Sequence, residues 1–456
     1  MKLPRVLLTA PKSGCGKTTV VCGLLQVLKN RNLKTAAIKC GPDYIDPMFH
    51  REVIGAKSAN LDLFFTDNET SKGILVKTAE GCDLAVMEGV MGYYDGLGGT
   101  TTTASAHHVS VTTDTPTILI LDGKGASLSL CATAKGFAEF CPDSKIAGII
   151  LNRCSAMQYA MLQPQFREIG LETFGYVPNL PQFNLESRHL GLITAQEIGN
   201  LQEMLQGLAA ELEKSLEIDK ILALADGASD LESASIKIDK IVENCPRIAV
   251  AKDRAFCFYY NENLNILEEL GGEIVYFSPL NDKKLPKCDA LYLGGGYPEL
   301  YGEKLENNQS MLADIHAKIA SGLPTFAECG GFMYLHETTT DDNGKIHKLV
   351  GTILGNTHNI GKLSRFGYVN LIAQKDNLLC KAGESIGAHE FHYFDSEDNG
   401  TSCLAEKPTG TRKWNCVHST ETLFAGYPHI YFYGNLNFSR NFIVKASEYR
   451  CKNETI

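Results

Sequence analysis

Short apolar runs alternate with longer stretches of helical periodicity along most of the chain. Each apolar run has the length of a strand and ends at a polar or glycine-rich loop. This alternation predicts an α/β fold with parallel sheets, in which ligands bind at the carboxyl ends of the strands. In the first half, strands are predicted at Arg5–Thr9, Thr35–Lys39, Leu84–Glu88, Thr117–Leu121 and Ile146–Leu151.

The pattern changes near the middle of the chain. Residues 194–235 are rich in Leu, Glu, Ala and Lys and lack strand signals, so they predict helix followed by a polar connector. A second α/β set then begins, with strands predicted at Arg247–Ala251, Glu273–Phe277, Ala290–Leu293 and Pro324–Ala327. We therefore predict two α/β domains, residues 1–193 and 246–446, joined by a helical connector of residues 194–245.

Composition restricts the classes of partner. The formal net charge of −10 argues against a nucleic-acid-binding protein, although a local cluster of cations could still bind an anionic substrate. The 15 cysteines form no C-x-x-C pair, which favours reduced thiols over a disulfide framework or a zinc site. No apolar stretch has the roughly 18–20 residues of a membrane span. We predict a cytoplasmic protein, monomer or homodimer, that acts on small molecules without contacting nucleic acid or membrane.

The first candidate site is the segment Ala10–Thr19, between the first strand and a helix predicted at Val20–Lys29. Its glycines would let backbone N–H groups face phosphate oxygens at a helix N-terminus. Lys17 would reach the β- and γ-phosphates, and the Thr18 hydroxyl would ligate Mg²⁺. A variant subclass of P-loop proteins has an additional lysine at the position of Lys12. The ATP-binding residues predicted here are Lys12, Gly14, Gly16, Lys17, Thr18 and Thr19.

Acidic residues follow two further strands. Asp43 and Asp46 stand on a proline-containing loop after the second strand, and Glu88 ends the third, as a Walker-B-type metal ligand would. Carboxylates can bind Mg²⁺ or orient a nucleophile, but Asp beside Pro is also a common turn former. We predict Thr18, Asp43 and Glu88 as the ligands of Mg²⁺.

The second candidate site is Cys329, in a turn between an apolar strand and a helical pattern. A cysteine at such a turn is exposed, and the helix N-terminus favours its thiolate, which makes it a candidate nucleophile. The alternative is a buried structural thiol. Gly294, Gly295 and Gly296 end another strand and suit backbone donors for an oxyanion, and His429 is the candidate base.

These motifs together resemble the cobyrinic acid a,c-diamide synthase family, in order from about residue 4 to about residue 440. The family implies an N-terminal P-loop domain similar to dethiobiotin synthetase and a C-terminal class I glutamine amidotransferase domain. The segments that resemble it are SGCGKTT, KCGPDYIDPMFH, MEGVMGYYDG, ESRHLGL, AVAKDRAFCFYYNENL, YLGGGYPE and AECGGFMYL.

The resemblance also implies roles for single residues. Cys329 would be the nucleophile and His429 its partner; Tyr431 stands where class I enzymes usually have an acid, which suggests a Cys–His dyad. Asn152 lies where related enzymes bind adenine. The residues that would face the substrate, or instead have capping or surface ion-pair roles, are Tyr44, Asp46, Arg188 and His189.

The activity implied is a glutamine-hydrolysing carbon–nitrogen ligase of cobalamin biosynthesis. It would amidate the a and c carboxylates of cobyrinic acid with ATP, Mg²⁺ and glutamine or ammonia, through an acyl phosphate. The alternatives are a hydrogenobyrinic acid or nickel-sirohydrochlorin a,c-diamide synthase. A P-loop nucleotide-switch protein is an alternative of another class, but it would have no use for Cys329 or His429.

Overall fold

The computed structural model describes residues 1–183, 201–233 and 236–454. The chain divides into two compact units, Met1–Ile236 and Lys237–Ile456. Each unit is built around a largely parallel sheet, which agrees with the α/β fold that the apolar runs predict. Arg188 and His189, predicted to face the substrate, lie outside the described residues.

The first unit contains a seven-stranded parallel sheet in the order β3-β2-β4-β1-β5-β6-β7. Most residues of its strands are buried, as expected when helices cover both faces of a parallel sheet. The strands are β1 (Arg5–Thr9), β2 (Thr35–Cys40), β3 (Lys57–Leu61), β4 (Leu84–Glu88), β5 (Thr117–Asp122), β6 (Ile146–Asn152) and β7 (Glu172–Val177). The helices are α1 (Lys17–Asn30), α2 (Ile45–Phe49), α3 (Asn68–Ala79), α4 (Ala106–Thr112), α5 (Ser129–Glu139), α6 (Ala156–Glu168), α7 (Leu201–Ser215) and α8 (Ile218–Asp226).

The strand order brings the predicted phosphate loop and acidic residues together. β4 lies between β1 and β2, and Glu88 is in register with Leu8 on one side and Lys39 on the other. The carboxyl ends of β1, β2 and β4 therefore meet at one edge of the sheet, where open α/β sheets bind their ligands.

Helix α7 packs along α1, although the sequence pattern assigned it to a connector. Leu205, Leu208 and Leu212 are buried in the same apolar core as the inward face of α1. A Cβ on Gly23 of α1 would lie 2.3 Å from Leu212 Cδ1, so the glycine permits this close approach. The amphipathic pattern of α7 thus reflects burial against the first unit.

The second unit has a six-stranded sheet, β20-β21-β11-β10-β8-β9, which is parallel except for β20. Its strands are β8 (Arg247–Ala251), β9 (Glu273–Phe277), β10 (Ala290–Leu293), β11 (Thr325–Glu328), β20 (His418–Ser419) and β21 (Leu423–Gly426). The helices are α9 (Asn261–Glu269), α10 (Gly302–Asn307), α11 (Gln309–Ala320), α12 (Gly330–Tyr334) and α13 (Leu436–Glu454).

Two smaller sheets follow α12, and neither is predicted by the pattern of apolar runs. Their orders are β13-β12-β14-β17 and β19-β18-β15-β16-β22. Their strands are β12 (His336–Thr340), β13 (Ile346–Lys348), β14 (Ile353–Asn359), β15 (Gly367–Ala373), β16 (Ser385–Glu390), β17 (Phe394–Ser396), β18 (Cys403–Glu406), β19 (Lys413–Cys416) and β22 (His429–Ile430). In the three described ranges, every helix is too short or too polar to cross a bilayer.

Candidate functional site

The phosphate loop connects β1 to α1 in the first unit. Gly16 caps α1 with a positive φ of 85°, a conformation that favours glycine. A Cβ at this position would also lie 2.2 Å from Asn152 Nδ2. The first backbone N–H groups of α1 have no partner within the helix, so the loop and the helix N-terminus form a cradle for phosphate oxygens.

A cavity of about 620 Å³ opens beside this loop, and nearly all the predicted residues of the first site line it. The predicted residues in its wall are Gly14, Gly16, Lys17, Thr18, Thr19, Asp43, Asp46, Glu88 and Asn152. Two residues predicted for this site, Lys12 and Tyr44, are not among the described residues that line the cavity. The Lys12 side chain is exposed, while its carbonyl oxygen accepts a hydrogen bond of 3.2 Å from Lys17 Nζ. Tyr44 is half-buried just before α2.

Lys39 is the central cation of this cavity, and the sequence analysis gave it no role. Its Nζ lies 2.9 Å from Glu88 Oε1 and 3.8 Å from Asp43 Oδ2, and it also hydrogen-bonds to Asp46. Burial alone would lower the pKa of Lys39, but the carboxylates raise it well above its ordinary value. A lysine at the end of an otherwise apolar strand beside a P-loop is the sequence signal that would have identified it.

Only one of the two carboxylate oxygens of Glu88, Oε1, accepts hydrogen bonds from the described residues. Thr18 Oγ1 donates to Glu88 Oε1 over 2.8 Å. Glu88 Oε2 is buried and has no hydrogen-bond partner among the described residues; His50 Nε2 lies 3.7 Å away. Burial raises the pKa of Glu88 to about 7 despite the nearby Lys39. The free carboxylate oxygen, the Thr18 hydroxyl and Asp43 form a set of oxygen donors that fits Mg²⁺.

Lys17 and Asn152 both contact the backbone of this site. Lys17 Nζ donates to the Met91 carbonyl oxygen over 2.6 Å, and burial, followed by repulsion from Lys39, lowers its pKa. Asn152 Nδ2 donates to the Cys15 carbonyl oxygen over 2.8 Å. The Nδ2 group of Asn152 therefore holds the phosphate loop against β6.

In the second unit, Cys329 forms the turn between β11 and α12. Its φ and ψ of 46° and −105° are strained for a residue other than glycine. Its N–H donates to the Gly426 carbonyl oxygen over 2.9 Å, and a Cβ on Gly331 would lie 2.2 Å from the Leu293 carbonyl oxygen. Strain at a glycine-flanked turn of this kind is characteristic of a nucleophile elbow.

The environment of Cys329 differs from the exposed thiolate expected from the sequence. The residue is only 7% exposed. Burial raises the pKa of its thiol, and the charges of Glu299, Glu328 and Glu390 raise it further. Burial also lowers the pKa of His429 to about 3. Burial therefore favours the neutral form of both residues, a thiol at Cys329 and an imidazole at His429.

His429 is placed by its neighbours in three directions. In the sheet, it is in register with His389 of β16. A Cβ on Gly295 would lie 2.5 Å from His429 Cε1, so only glycine allows the ring to sit against this loop. Glu328 Oε1 accepts a hydrogen bond of 2.8 Å from the Ile430 N–H. The Tyr431 hydroxyl donates to Glu262 Oε1 over 3.4 Å.

The glycine loop offers fewer free donors than the sequence pattern predicts. Gly294 N–H donates to the Tyr259 hydroxyl over 2.9 Å, and Gly295 N–H donates to the Phe258 carbonyl oxygen over 3.1 Å. Both are thus engaged and cannot also bind an oxyanion in this arrangement. Gly296 N–H has no partner among the described residues, and a Cβ on Gly330 would lie 2.9 Å from its nitrogen. Gly296 is therefore the donor of this loop nearest the elbow.

Two known domain families match the chain, one in each unit. Residues 6–193 match a family described as the CobQ/CobB/MinD/ParA nucleotide binding domain. Residues 247–436 match the CobB/CobQ-like glutamine amidotransferase domain. The phosphate cavity lies wholly in the first match, and Cys329 and His429 lie in the second.

Three proteins named cobyrinate a,c-diamide synthase are similar to almost the whole chain. The protein of Clostridium acetobutylicum is 39% identical over 448 residues, covering 96% of this chain and 99% of its own. The protein of Listeria innocua is 36% identical over 438 residues, covering 94% and 97%. The protein of Salmonella typhimurium is 38% identical over 433 residues, covering 93% and 94%.

Proposed function

The chain belongs to the cobyrinate a,c-diamide synthase family, and from this we propose that it converts the a and c carboxylates of cobyrinic acid to carboxamides. ATP activates each carboxylate, and glutamine or ammonia supplies the nitrogen. The family membership confirms the resemblance seen in the sequence motifs. The observation that supports the proposal most strongly is that one chain contains both a phosphate cavity with Lys17, Lys39 and Glu88 and a strained cysteine elbow.

Activation takes place in the first unit. An oxygen of the substrate carboxylate attacks the γ-phosphorus of ATP, the bond to the β,γ-bridging oxygen breaks, and ADP leaves. Lys17 and the N–H groups of the phosphate loop stabilise the charge on the phosphoryl oxygens. Thr18, Asp43 and Glu88 would hold Mg²⁺, which would offset phosphate charge during this step. Asp46 and Tyr44, at the start of α2, are proposed to orient the incoming carboxylate.

Amide formation follows from the chemistry of the acyl phosphate. Ammonia adds to the acyl carbon, inorganic phosphate leaves with the electron pair of the C–O bond, and the nitrogen loses a proton. Without activation, a carboxylate at neutral pH resists attack by ammonia because its carbon is shielded by negative charge. Lys39 is well placed to stabilise the carboxylate and phosphoryl groups as their charges change, since it already neutralises Asp46 and Glu88.

Glutamine hydrolysis takes place in the second unit. Cys329 Sγ adds to the glutamine carboxamide carbon while His429 accepts the thiol proton, so charge separates only when substrate is present. Gly296 N–H stabilises the oxyanion. The tetrahedral intermediate collapses with loss of ammonia, which takes a proton from His429. Water then hydrolyses the thioester and releases glutamate.

The first test is mass spectrometry of a reaction containing cobyrinic acid, ATP, Mg²⁺ and glutamine. Two successive decreases of about one mass unit, each replacing OH by NH₂, are expected from diamidation of activated carboxylates. Parallel reactions with hydrogenobyrinic acid and nickel-sirohydrochlorin identify the macrocycle, because the same two shifts in only one of them would assign the substrate. Absence of amidation in all three would contradict the proposal and favour a nucleotide switch.

A further inference from the structure

Three carboxylates act on the Cys329 thiol, and they differ in their partners. Glu328 accepts hydrogen bonds from the Ile430 N–H and from the Tyr292 hydroxyl, over 2.8 and 2.7 Å. Glu390 Oε2 lies 3.2 Å from His392 Nε2. Within the described residues, Glu299 forms neither an ion pair nor a hydrogen bond to another side chain. Glu390 Oε1 is also buried without a hydrogen-bond partner in this part of the chain, but Glu328 and Glu390 are only 2% and 0% exposed, whereas Glu299 is half-buried. Glu299 is therefore the carboxylate of this group that a ligand from solvent can reach.

Glu299 is held beside the elbow by its backbone. It lies in the short 3₁₀ turn Pro298–Tyr301, which begins one residue after the glycine loop and contacts α12. A Cβ added to Gly330 would lie 3.0 Å from Pro298 Cδ. The turn therefore packs against Gly330, the residue that follows Cys329. Of the charged groups that act on the Cys329 thiol, Glu299 has the largest effect.

A carboxylate in this position lacks a counter-charge. Burial and, to a smaller extent, the charge of Asp342 raise the pKa of Glu299 to about 8, although a hydrogen bond from its own backbone N–H lowers it. A half-buried carboxylate without a cation is only partly solvated, and a bound ammonium group would stabilise it through a charge-assisted hydrogen bond. Glutamine has such a group, an α-ammonium, separated from its reacting carboxamide carbon by three carbon–carbon bonds.

We propose that Glu299 binds the α-ammonium group of glutamine and so selects this donor over carboxamides that lack an α-amino group. The inference rests on the proposed glutamine hydrolysis at Cys329 and extends it to the recognition of the donor. Glu328 and Glu390 are engaged by His392, Tyr292 and the backbone, so they position the elbow while Glu299 contacts the substrate.

The proposal predicts that Glu299→Gln loses activity on L-glutamine but not on a substrate without the α-amino group. A hydrogen bond to a charged group is worth about 1.5–3 kcal/mol, which corresponds to a roughly tenfold to hundredfold change in kcat/KM. Glu299→Gln should therefore lower kcat/KM for L-glutamine by this factor, mainly through a higher KM. Hydrolysis of 4-carbamoylbutanoate, which is glutamine without its α-amino group, should change little.

The experiment measures ammonia release from both substrates by the wild-type chain and by Glu299→Gln. Glu303→Gln is the matched control, because Glu303 is an exposed glutamate of α10 that pairs with Lys345 and should leave both rates unchanged. Thermal unfolding of each variant verifies that the fold is intact. Equal losses on both substrates, or no loss on glutamine, would overturn the role of Glu299.

A separate reaction distinguishes failure of this inference from failure of the proposed function. The wild-type chain is supplied with cobyrinic acid, ATP, Mg²⁺ and an ammonium salt in place of glutamine. Amidation in this reaction supports the proposed function whatever the result for Glu299. If amidation occurs but Glu299→Gln retains full preference for L-glutamine, only the donor-recognition inference is wrong.

Discussion

The Glu328 carboxylate accepts a hydrogen bond of 2.8 Å from the backbone N–H of Ile430. Glu328 precedes Cys329, the proposed nucleophile, and Ile430 follows His429, the proposed base. One buried bond therefore joins the strand that ends before Cys329 to the strand that contains His429. The Tyr292 hydroxyl fixes the second oxygen of the same carboxylate. Glu328 therefore positions the backbone on both sides of the pair, in a chain where Tyr431 replaces the acid usual in class I enzymes.

We expect Glu328→Ala to lower kcat for glutamine hydrolysis while KM changes little. The substitution leaves the buried Ile430 N–H without an acceptor, which costs about 1–3 kcal/mol of the free energy of unfolding. Glu328→Gln retains an amide oxygen that can accept the same bond and should restore most of kcat. Steady-state kinetics and urea unfolding measure the two effects. Loss of stability at unchanged kcat in Glu328→Ala would show a purely structural role.

We expect Cys329→Ala to abolish glutamine-dependent amidation and to retain amidation from ammonium salts. The substitution removes the nucleophile without changing the phosphate cavity, which is formed by residues of the first unit. Cys329→Ser is the matched variant, since it keeps a hydroxyl of similar size but lacks the nucleophilicity of sulfur. Mass spectrometry of the corrinoid product with each nitrogen source is the measurement. Loss of both routes in both variants would indicate a structural cysteine.

Much of the sheet architecture follows from the sequence because the central strands are short runs of mostly apolar residues. Arg5–Thr9, Leu84–Glu88, Arg247–Ala251 and Ala290–Leu293 have the predicted bounds. Such runs of four to eight residues between loops have few alternatives to a buried parallel strand. The strands after α12 were missed because they are short or alternate between polar and apolar residues, although several of them pair with a near neighbour in the chain.

Some of the site residues could likewise be predicted from the sequence, and others could not. Motifs with a fixed local geometry, such as the phosphate loop and the cysteine elbow, are visible in the sequence because turn and nucleophile are adjacent. Lys39, Glu328 and Glu299 were not predicted as site residues, because the case for each depends on neighbours such as Asp46 and Ile430 that the fold brings close to them. Sequence likewise could not show that the N–H groups of the first two glycines in the Gly294–Gly296 loop are engaged.

We expect Lys39→Met to abolish amidation from both glutamine and ammonium salts. The substitution leaves Asp46 and Glu88 buried without their cation, and breaking a buried ion pair costs about 3–5 kcal/mol of the free energy of unfolding. Lys57→Met, at an exposed lysine of the adjacent strand β3, should leave amidation unchanged. Product analysis and urea unfolding are the measurements.

Unfolding of Lys39→Met would also abolish amidation. A second variant therefore separates the effect of the lysine charge on stability from its effect on the reaction. Lys39→Arg keeps a cation among the carboxylates and should recover stability, but its planar guanidinium does not reproduce the compact ammonium. We therefore expect Lys39→Arg to remain folded and to stay at least about tenfold less active, as loss of one charged contact at a reacting centre implies. Full activity in either Lys39 variant would exclude the lysine from the chemistry.

We expect Cys329 of the free protein to resist alkylation at neutral pH. Its pKa is raised above the ordinary thiol value, so the reactive thiolate forms only as the pH rises above that value. Iodoacetamide modification at Cys329, followed by mass spectrometry of its peptide, should accelerate about tenfold per pH unit without reaching a plateau by pH 9. An early plateau at pH 6–7 would instead reveal a thiolate–imidazolium pair.

Glu299→Gln sharpens this measurement because it removes the charge with the largest effect on the thiol. The pKa of Glu299 is about 8, so its carboxyl is mainly neutral at pH 7 and mainly ionised at pH 9. The titratable groups that interact with the thiol or with Glu299 are Glu328, Glu390, Tyr297, Tyr427 and Asp342. Because the ionised carboxylate disfavours the thiolate, Glu299→Gln should be alkylated faster than wild type at pH 9 and at a similar rate at pH 7. Identical rates at both pH values would contradict the placement of Glu299 beside the nucleophile.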